Sequence, residues 1–293
     1  MEWKPGGVSD DIEDRRDSPG GGGGFGGMRL GGGMGIGGTL VLIVLSLLFG
    51  RNFLDMFTGG SSEGERPATS APRSAPRSKD AENTQVQFVS FVLDDLQATW
   101  EKLLPEQSGR PYRHAKLVLY RDATQSACGV GESATGPFYC PADEKVYLDL
   151  GFFDDLKNRF GAPGEFAAAY VIAHEVGHHV QKVLGIESKV RRMRQNNPSE
   201  ANPLSVRMEL QADCLAGVWA KSTAQRKIID QSDVEAGLRA AAAVGDDRLQ
   251  KRSTGRVSPE SFTHGSSQQR MEWFQRGLSG GQLSGCDTFG TGR

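Results

Sequence analysis

The chain is poor in several things at once. Its 293 residues include four cysteines, five histidines and four tryptophans, and aromatic residues make up 8%. The cysteines (Cys128, Cys140, Cys214 and Cys286) are too few for a disulfide-built scaffold. None are spaced C-x-x-C, which excludes the usual structural zinc site and a thioredoxin-like redox motif. An excess of one charge is also missing. Lysine and arginine number 34 against 36 aspartate and glutamate, a net charge of −2, so no basic field points to nucleic acid and no such partner is expected. Long uncharged apolar runs are lacking as well, with one exception between Met34 and Gly50. Glycine is what abounds. There are 39, with most of the excess before residue 39, and a mean hydropathy of −0.43 means that part of the chain lies outside any packed core.

Residues 1–33 join the charged stretch Asp10 to Asp17 to a glycine run that begins at Gly20. Such a composition buries too little apolar surface to offset chain entropy, so a disordered tail is expected. Residues 34–50 carry no charge and are closed by Arg51. A bilayer core takes roughly 17–25 helical residues, so this segment reads as one transmembrane helix in the cytoplasmic membrane. A cleaved signal peptide fits less well, because a long charged leader precedes the run and no A-x-A-like site follows it. Arg15, Arg16 and Arg29 before the segment, against Arg51 and Arg66 after it, give a slight bias toward a cytoplasmic N-terminus. Residues 51–84, with the repeat Ser70-Ala71-Pro72-Arg73-Ser74-Ala75-Pro76-Arg77, read as a solvated linker.

From residue 85 to 293 the composition is that of one domain. Helical spacing runs from Val86 to Trp100 and is expected to end before Pro105. Lys116–Tyr120 and Lys145–Asp149 are short β-rich runs, and the Gly- and Ser-rich stretch from Cys128 to Cys140 is a loop or hairpin between them. Further helices are expected over about 162–184, 205–222 and 232–244, and after His264. The result is an α+β domain in which helices outweigh a small sheet. Phe138 to Leu148 offers a candidate edge for an extended peptide. The short loop between Cys128 and Cys140 favours a bridge there, which leaves Cys214 to tie Cys286 of the C-terminal tail to a helix. Four cysteines allow three pairings, and four buried thiols are the alternative. Two disulfides would place the domain outside the cytoplasm, periplasmic or extracellular, on a single-pass anchor.

The chemistry centres on His174-Glu175-Val176-Gly177-His178. Histidines at i and i+4 share one helix face, so both imidazoles can reach one metal. Glu175 is turned away from the metal and toward its bound water, which suits a general base. A catalytic zinc needs a third protein ligand. No metzincin continuation follows, but Glu209 and Asp213 lie at i and i+4 within the apolar sequence Glu209 to Trp219. Buried carboxylates need partners, so this pair reads as one ligand and one carboxylate that orients a ligand imidazole. His179 lies about 100° from His178 around the helix and is set aside as a packed histidine. His114 is read as a surface residue. His264, presented from a turn, is either an oxyanion donor or a capping histidine.

Together these residues resemble a bacterial family of neutral zinc metallopeptidases. The resemblance covers nearly the whole chain: Glu13-Asp14-Arg15-Arg16, the polyglycine, the apolar run, Gly136-Pro137-Phe138-Tyr139-Cys140-Pro141, His174 to His179, Glu209 to Cys214, and Thr263-His264-Gly265-Ser266-Ser267. The later motifs are similar to those of gluzincin peptidases related to CAAX-processing and HtpX-type enzymes. That resemblance implies one zinc ion on His174, His178 and Glu209, with Asp213 supporting a ligand. It also implies His264 as a catalytic oxyanion stabiliser and Arg270 as a structural partner near Asp213. Proteins or peptides are the implied substrates. The competing readings are a membrane-tethered zinc-binding scaffold without turnover, and an assembly partner acting through its tails.

Overall fold

Two apolar pentapeptides make the centre of a small sheet. The computed structural model describes residues 1–17, 79–132 and 136–290. Strands β1 (Ile12–Asp14), β2 (Lys116–Tyr120), β5 (Phe138–Cys140) and β6 (Lys145–Asp149) form one sheet in the order β1-β2-β6-β5. β1 and β6 both run parallel to β2, while β5 runs antiparallel to β6. β3 (Ala123–Ser126) and β4 (Gly129–Glu132) make a separate antiparallel hairpin. The central strands are buried over most of their length, as parallel strands covered on both faces should be. Of the expected peptide edge, only β5 has an open side. β6 is flanked by β2 and β5, so its part of Phe138 to Leu148 is unavailable.

The helices are α1 (Lys79–Ser108), α2 (Phe152–Asn158), α3 (Glu165–Val183), α4 (Ile186–Asn196), α5 (Ala201–Gln225), α6 (Gln231–Ala243), α7 (Asp246–Thr254) and α8 (Ser267–Gly280). Helices outweigh the sheet, as composition and spacing predict. α3 is buried on nearly all sides and lies in the main core, its apolar first half packed there and its polar residues paired or turned to the cavity. Gly185 ends it in the left-handed conformation at φ 77°, a place where a side chain would be strained. α1 runs through Pro105 rather than ending before it. Pro105 and Glu101 are exposed in its last turns, so the one lost hydrogen bond falls on the solvent side.

α5 and α8 cross closely enough to touch backbones. A Cβ on Gly277 would stand 1.9 Å from the Cys214 carbonyl oxygen, and one on Gly217 would stand 2.1 Å from that of Phe274. Glycine at both positions is therefore what lets α8 bring Arg270 over Asp213. The disulfides are Cys128–Cys140 and Cys214–Cys286, with Cα separations of 5.7 and 5.5 Å, the pairing expected from loop length. On chain entropy alone they contribute about 3 and about 4 kcal/mol respectively.

Two expectations need correction. Residues 1–17 are not a structureless tail: β1 is a full member of the sheet, and Trp3 packs on Phe88 with its Nε1 donating to Glu165. Averaged over residues 1–33 the glycine run conceals this segment, whose charged residues find partners in the domain. Glu13 pairs with Lys145, Asp11 with Lys116, and Arg16 with Glu82. Residues 79–84 are the first turns of α1 rather than linker. Asp80 and Glu82 favour a helix start there, and Glu82 is held by Arg16 and Arg121. The expected span at 34–50 and the rest of the linker lie outside the described residues. Among the described residues, no helix is long and apolar enough to cross a membrane.

Candidate metal centre

α3 presents His174 and His178 one turn apart, and α5 brings Glu209 against them. His174 Nε2 lies 3.1 Å from Glu209 Oε2, and His178 Nε2 lies 3.6 Å from Glu209 Oε1. One ligand atom from each residue falls within 4.8 Å of the other two. Zinc bonds of about 2.0–2.1 Å at tetrahedral angles separate ligand atoms by about 3.3 Å, so the spacing suits that ion. The tautomers suit it too. His174 Nδ1 is 2.8 Å from Asp213 Oδ1, and His178 Nδ1 is 2.9 Å from the Gln181 side-chain oxygen. With each Nδ1–H donated to an oxygen, each Nε2 keeps a lone pair for a metal. Burial alone would raise the Glu209 carboxyl, but His178 and His174 hold it well below the usual range. Two neutral nitrogens and one carboxylate oxygen thus form a donor set that fits zinc.

Asp213 is fully buried and saturated. Its Oδ1 accepts from His174 Nδ1, Tyr170 Oη and Arg270 Nη2, and its Oδ2 accepts from Arg270 Nε at 2.8 Å. The Arg270 guanidinium is itself 4% exposed and also donates to the Val244 carbonyl. A fork of this kind, with one arm on each oxygen, compensates the buried carboxylate, and Oδ1 accepts from the imidazole as well. The neighbouring amides form a second chain. Gln181 Nε2 donates to the Met208 carbonyl and to Gln211 Oε1, and Gln211 Nε2 donates to the Cys286 carbonyl. The Cys214–Cys286 bridge therefore anchors the tail that steadies the glutamine orienting His178.

Glu175 and His264 line the same cavity of about 310 Å³, together with the three candidate ligands and Arg270. Burial pushes the Glu175 carboxyl up, against the pull of the two histidines. That moves it toward the range in which a carboxylate can take a proton and return it. His264 is held from behind by Asp246, whose Oδ2 accepts the backbone N–H of Thr263, His264 and Gly265 at 2.7, 2.7 and 3.0 Å. Asp246 Oδ1 lies 3.1 Å from His264 Nδ1. One carboxylate thus shapes the turn and orients the ring it presents. β5 forms a cavity wall through Phe138 and Tyr139, and Tyr139 Oη lies 3.0 Å from His179 Nδ1. His179 also contacts the Arg113 carbonyl through Nε2, so it is a packed histidine that fastens the edge strand to α3. His114 lies on the surface between Asp11 and Glu101.

A family model described as "Putative neutral zinc metallopeptidase" matches residues 1–289. The chain belongs to this family. It is 49% identical over 292 residues to the uncharacterized protein YpfJ of Escherichia coli K12, covering 99% of each chain. It is 42% identical over 207 residues to the uncharacterized protein Rv2575 of Mycobacterium tuberculosis, covering 67% of this chain and 68% of that one. No solved structure matches. Within this family member, Asp246, Gln181, Gln211 and Tyr170 are functional-site neighbours that sequence reading misses. Gln181 carried a usable signal, since an amide three residues after a ligand histidine shares its helix face. Asp246 carried none, because its role depends on a turn that folds back from residue 263.

Proposed function

We propose that the protein is a zinc-dependent peptidase that hydrolyses peptide bonds in proteins or peptides, using one zinc ion on His174, His178 and Glu209. The observation that carries this reading is the convergence of those residues in one cavity with Glu175 and His264. Zinc, when bound, supplies Lewis acidity to a water and to the scissile carbonyl. Glu175 takes the proton of that water and delivers it to the leaving amine. His264, oriented by Asp246, donates to the oxygen that becomes negative. Asp213 fixes the His174 tautomer and Arg270 balances its charge. An extended peptide laid along the open edge of β5 would present its backbone to the cavity.

The domain belongs outside the cytoplasm on this reading, because both cysteine pairs are bridged and such bridges persist in oxidising compartments. The apolar run at 34–50 is the proposed membrane attachment. The test compares peptide termini in cells carrying the wild type or Glu175→Gln, with zinc content measured on both purified proteins. A peptidase loses its cleavage products in the variant and keeps its zinc. Identical termini from both would instead favour the scaffold without turnover.

A further inference from the structure

The leader is held to the domain at its first residues and again from Ser9 to Arg16. β1 pairs with β2 in register, Ile12 with Leu117, Glu13 with Val118 and Asp14 with Leu119. Backbone hydrogen bonds continue on either side, from Leu117 N to Asp11 O and from Arg15 N to Leu119 O, both 2.8 Å. Ser9 is buried, its backbone N–H donating to Ser90 and its hydroxyl to Asp94. Asp11 is buried and accepts from Lys116 and Gln97, with His114 Nδ1 at 2.6 Å. Farther forward, Glu2 N donates to the Ile228 carbonyl. Without β1, β2 would become an open sheet edge with buried apolar residues beneath it, a recognised liability.

These contacts conflict with a single membrane crossing between residues 17 and 79. A strand cannot hydrogen-bond to a sheet across a bilayer, so β1 and β2 must share a compartment. The chain between them must then cross an even number of times or not at all. Met34 to Gly50 is seventeen residues, about 25 Å as a helix, which is one crossing and no more. No second run of that length exists in residues 18–78: glycine fills the first part, and Asp55, Glu63, Glu65, Arg66, Arg73 and Arg77 break up the last. About sixty residues can extend about 200 Å, so chain length does not prevent a return to the same face.

We infer that the N-terminal segment and the metal-site domain lie on the same side of the membrane, with no net crossing by the chain between them. With the domain outside the cytoplasm, a cytoplasmic N-terminus of the kind the arginine bias suggests is incompatible with β1 in the sheet. The bias is slight, whereas the docked leader commits a strand, buried polar groups and several ion pairs. The inference holds whether or not the domain hydrolyses peptides.

Thiol labelling tests it on the full-length protein in cells. The four native cysteines are bridged, so one added thiol stands alone. Val8→Cys reports on the leader and Val257→Cys on the domain; both positions are exposed, at 57% and 45%, so neither change disturbs the core. A membrane-impermeant maleimide is applied with the outer envelope opened and the cytoplasmic membrane sealed, and then again after permeabilisation. Both thiols should label to the same extent before permeabilisation. If only one labels before permeabilisation, the inference is overturned and single-pass topology stands. If both label only afterwards, the shared side holds and it is the extracytoplasmic placement that fails. The unaltered protein provides a second measurement, because a zero-length carbodiimide should join Lys145 to Glu13 and Lys116 to Asp11 in isolated membranes. Absence of both isopeptides, with the lysines reactive to an amine reagent, would remove the docked strand on which the inference rests.

Discussion

Two buried aspartates solve the same physical problem at two places in the molecule, and they differ in what adjoins them. Asp213 holds His174 and Arg270; Asp11 holds His114 and Lys116. Each is desolvated, and in each case neighbouring cations outweigh burial and keep the carboxyl below its usual range. A perturbed carboxylate beside a histidine therefore does not distinguish a reaction centre from a structural joint. The histidine's other nitrogen does. His174 Nε2 faces Glu209 inside a cavity, where a metal can replace the hydrogen bond. His114 Nε2 meets the exposed carboxylate of Glu101, and its side chain is 41% exposed. The first network opens onto a ligand position; the second closes on itself and pins the leader to the sheet.

The largest effect should come from breaking the closed charge balance around Asp213. In the zinc-loaded protein, where His174 is neutral, Arg270→Met leaves a fully buried carboxylate with only neutral donors, and thermal or denaturant unfolding should show a loss of about 3–5 kcal/mol. Adding Asp213→Asn to that variant should recover part of the loss, because the stranded charge is gone. A double variant no more stable than Arg270→Met would mean that the pair is held by packing and not by charge. Asp213→Asn alone should weaken zinc affinity by about 10- to 100-fold, since the His174 tautomer loses its anionic support. Competition with a chelator reads this directly, and unchanged affinity would detach Asp213 from the metal.

Legibility in the sequence follows the same division. The two helix pairs, His174 with His178 and Glu209 with Asp213, were visible because i and i+4 neighbours meet on any helix, whatever the fold around it. β2 and β6 matched to the residue, since each is a short apolar run bounded by polar or turn residues. The disulfides followed from one short loop and the remainder it left. Contacts made only by the assembled fold were not visible. Asp246 reaches the His264 turn from the start of α7, and Arg270 meets Asp213 only because Gly217 and Gly277 let their helices touch. β1 is three residues long and two of them are charged, so no periodicity announces it. Its partners lie about a hundred residues away in the chain.

At the other joint the effects should be smaller and should leave the metal untouched. Asp11→Asn keeps a hydrogen-bonding side chain but gives up the charge facing Lys116 and His114, which should lower stability by about 1–2 kcal/mol. Zinc affinity should not change, and that contrast with Asp213→Asn tests the distinction between the two aspartates. A matching fall in zinc affinity would show that the leader and the metal centre are one cooperative unit.

The smallest predicted effect has a sign set by pH. Burial works against the charged His114 ring, but Glu101 and Asp11 outweigh it and raise the folded-state pKa above 6.5. A histidine with a raised folded pKa contributes stability that is fully present below its unfolded pKa. That contribution fades as pH climbs through the folded value. Asp11 has the opposite sense: its pKa is lowered, so its contribution is present above 3.8 and is lost only as pH falls through the depressed value. Between these limits, in mildly acidic solution, both members of the pair are charged and the leader should be held most firmly. Because His114 is more than a third exposed, solvent screens the pair and the gain should amount to a few tenths of a kcal/mol. His114→Gln keeps the shape without the charge. The measurement is unfolding of wild type and variant across pH 5 to 9, with amide exchange followed in residues 9–17. The difference should be largest at the acid end and vanish at the alkaline end. A constant offset across that range would mean that His114 acts by packing on Tyr112 and not through its charge.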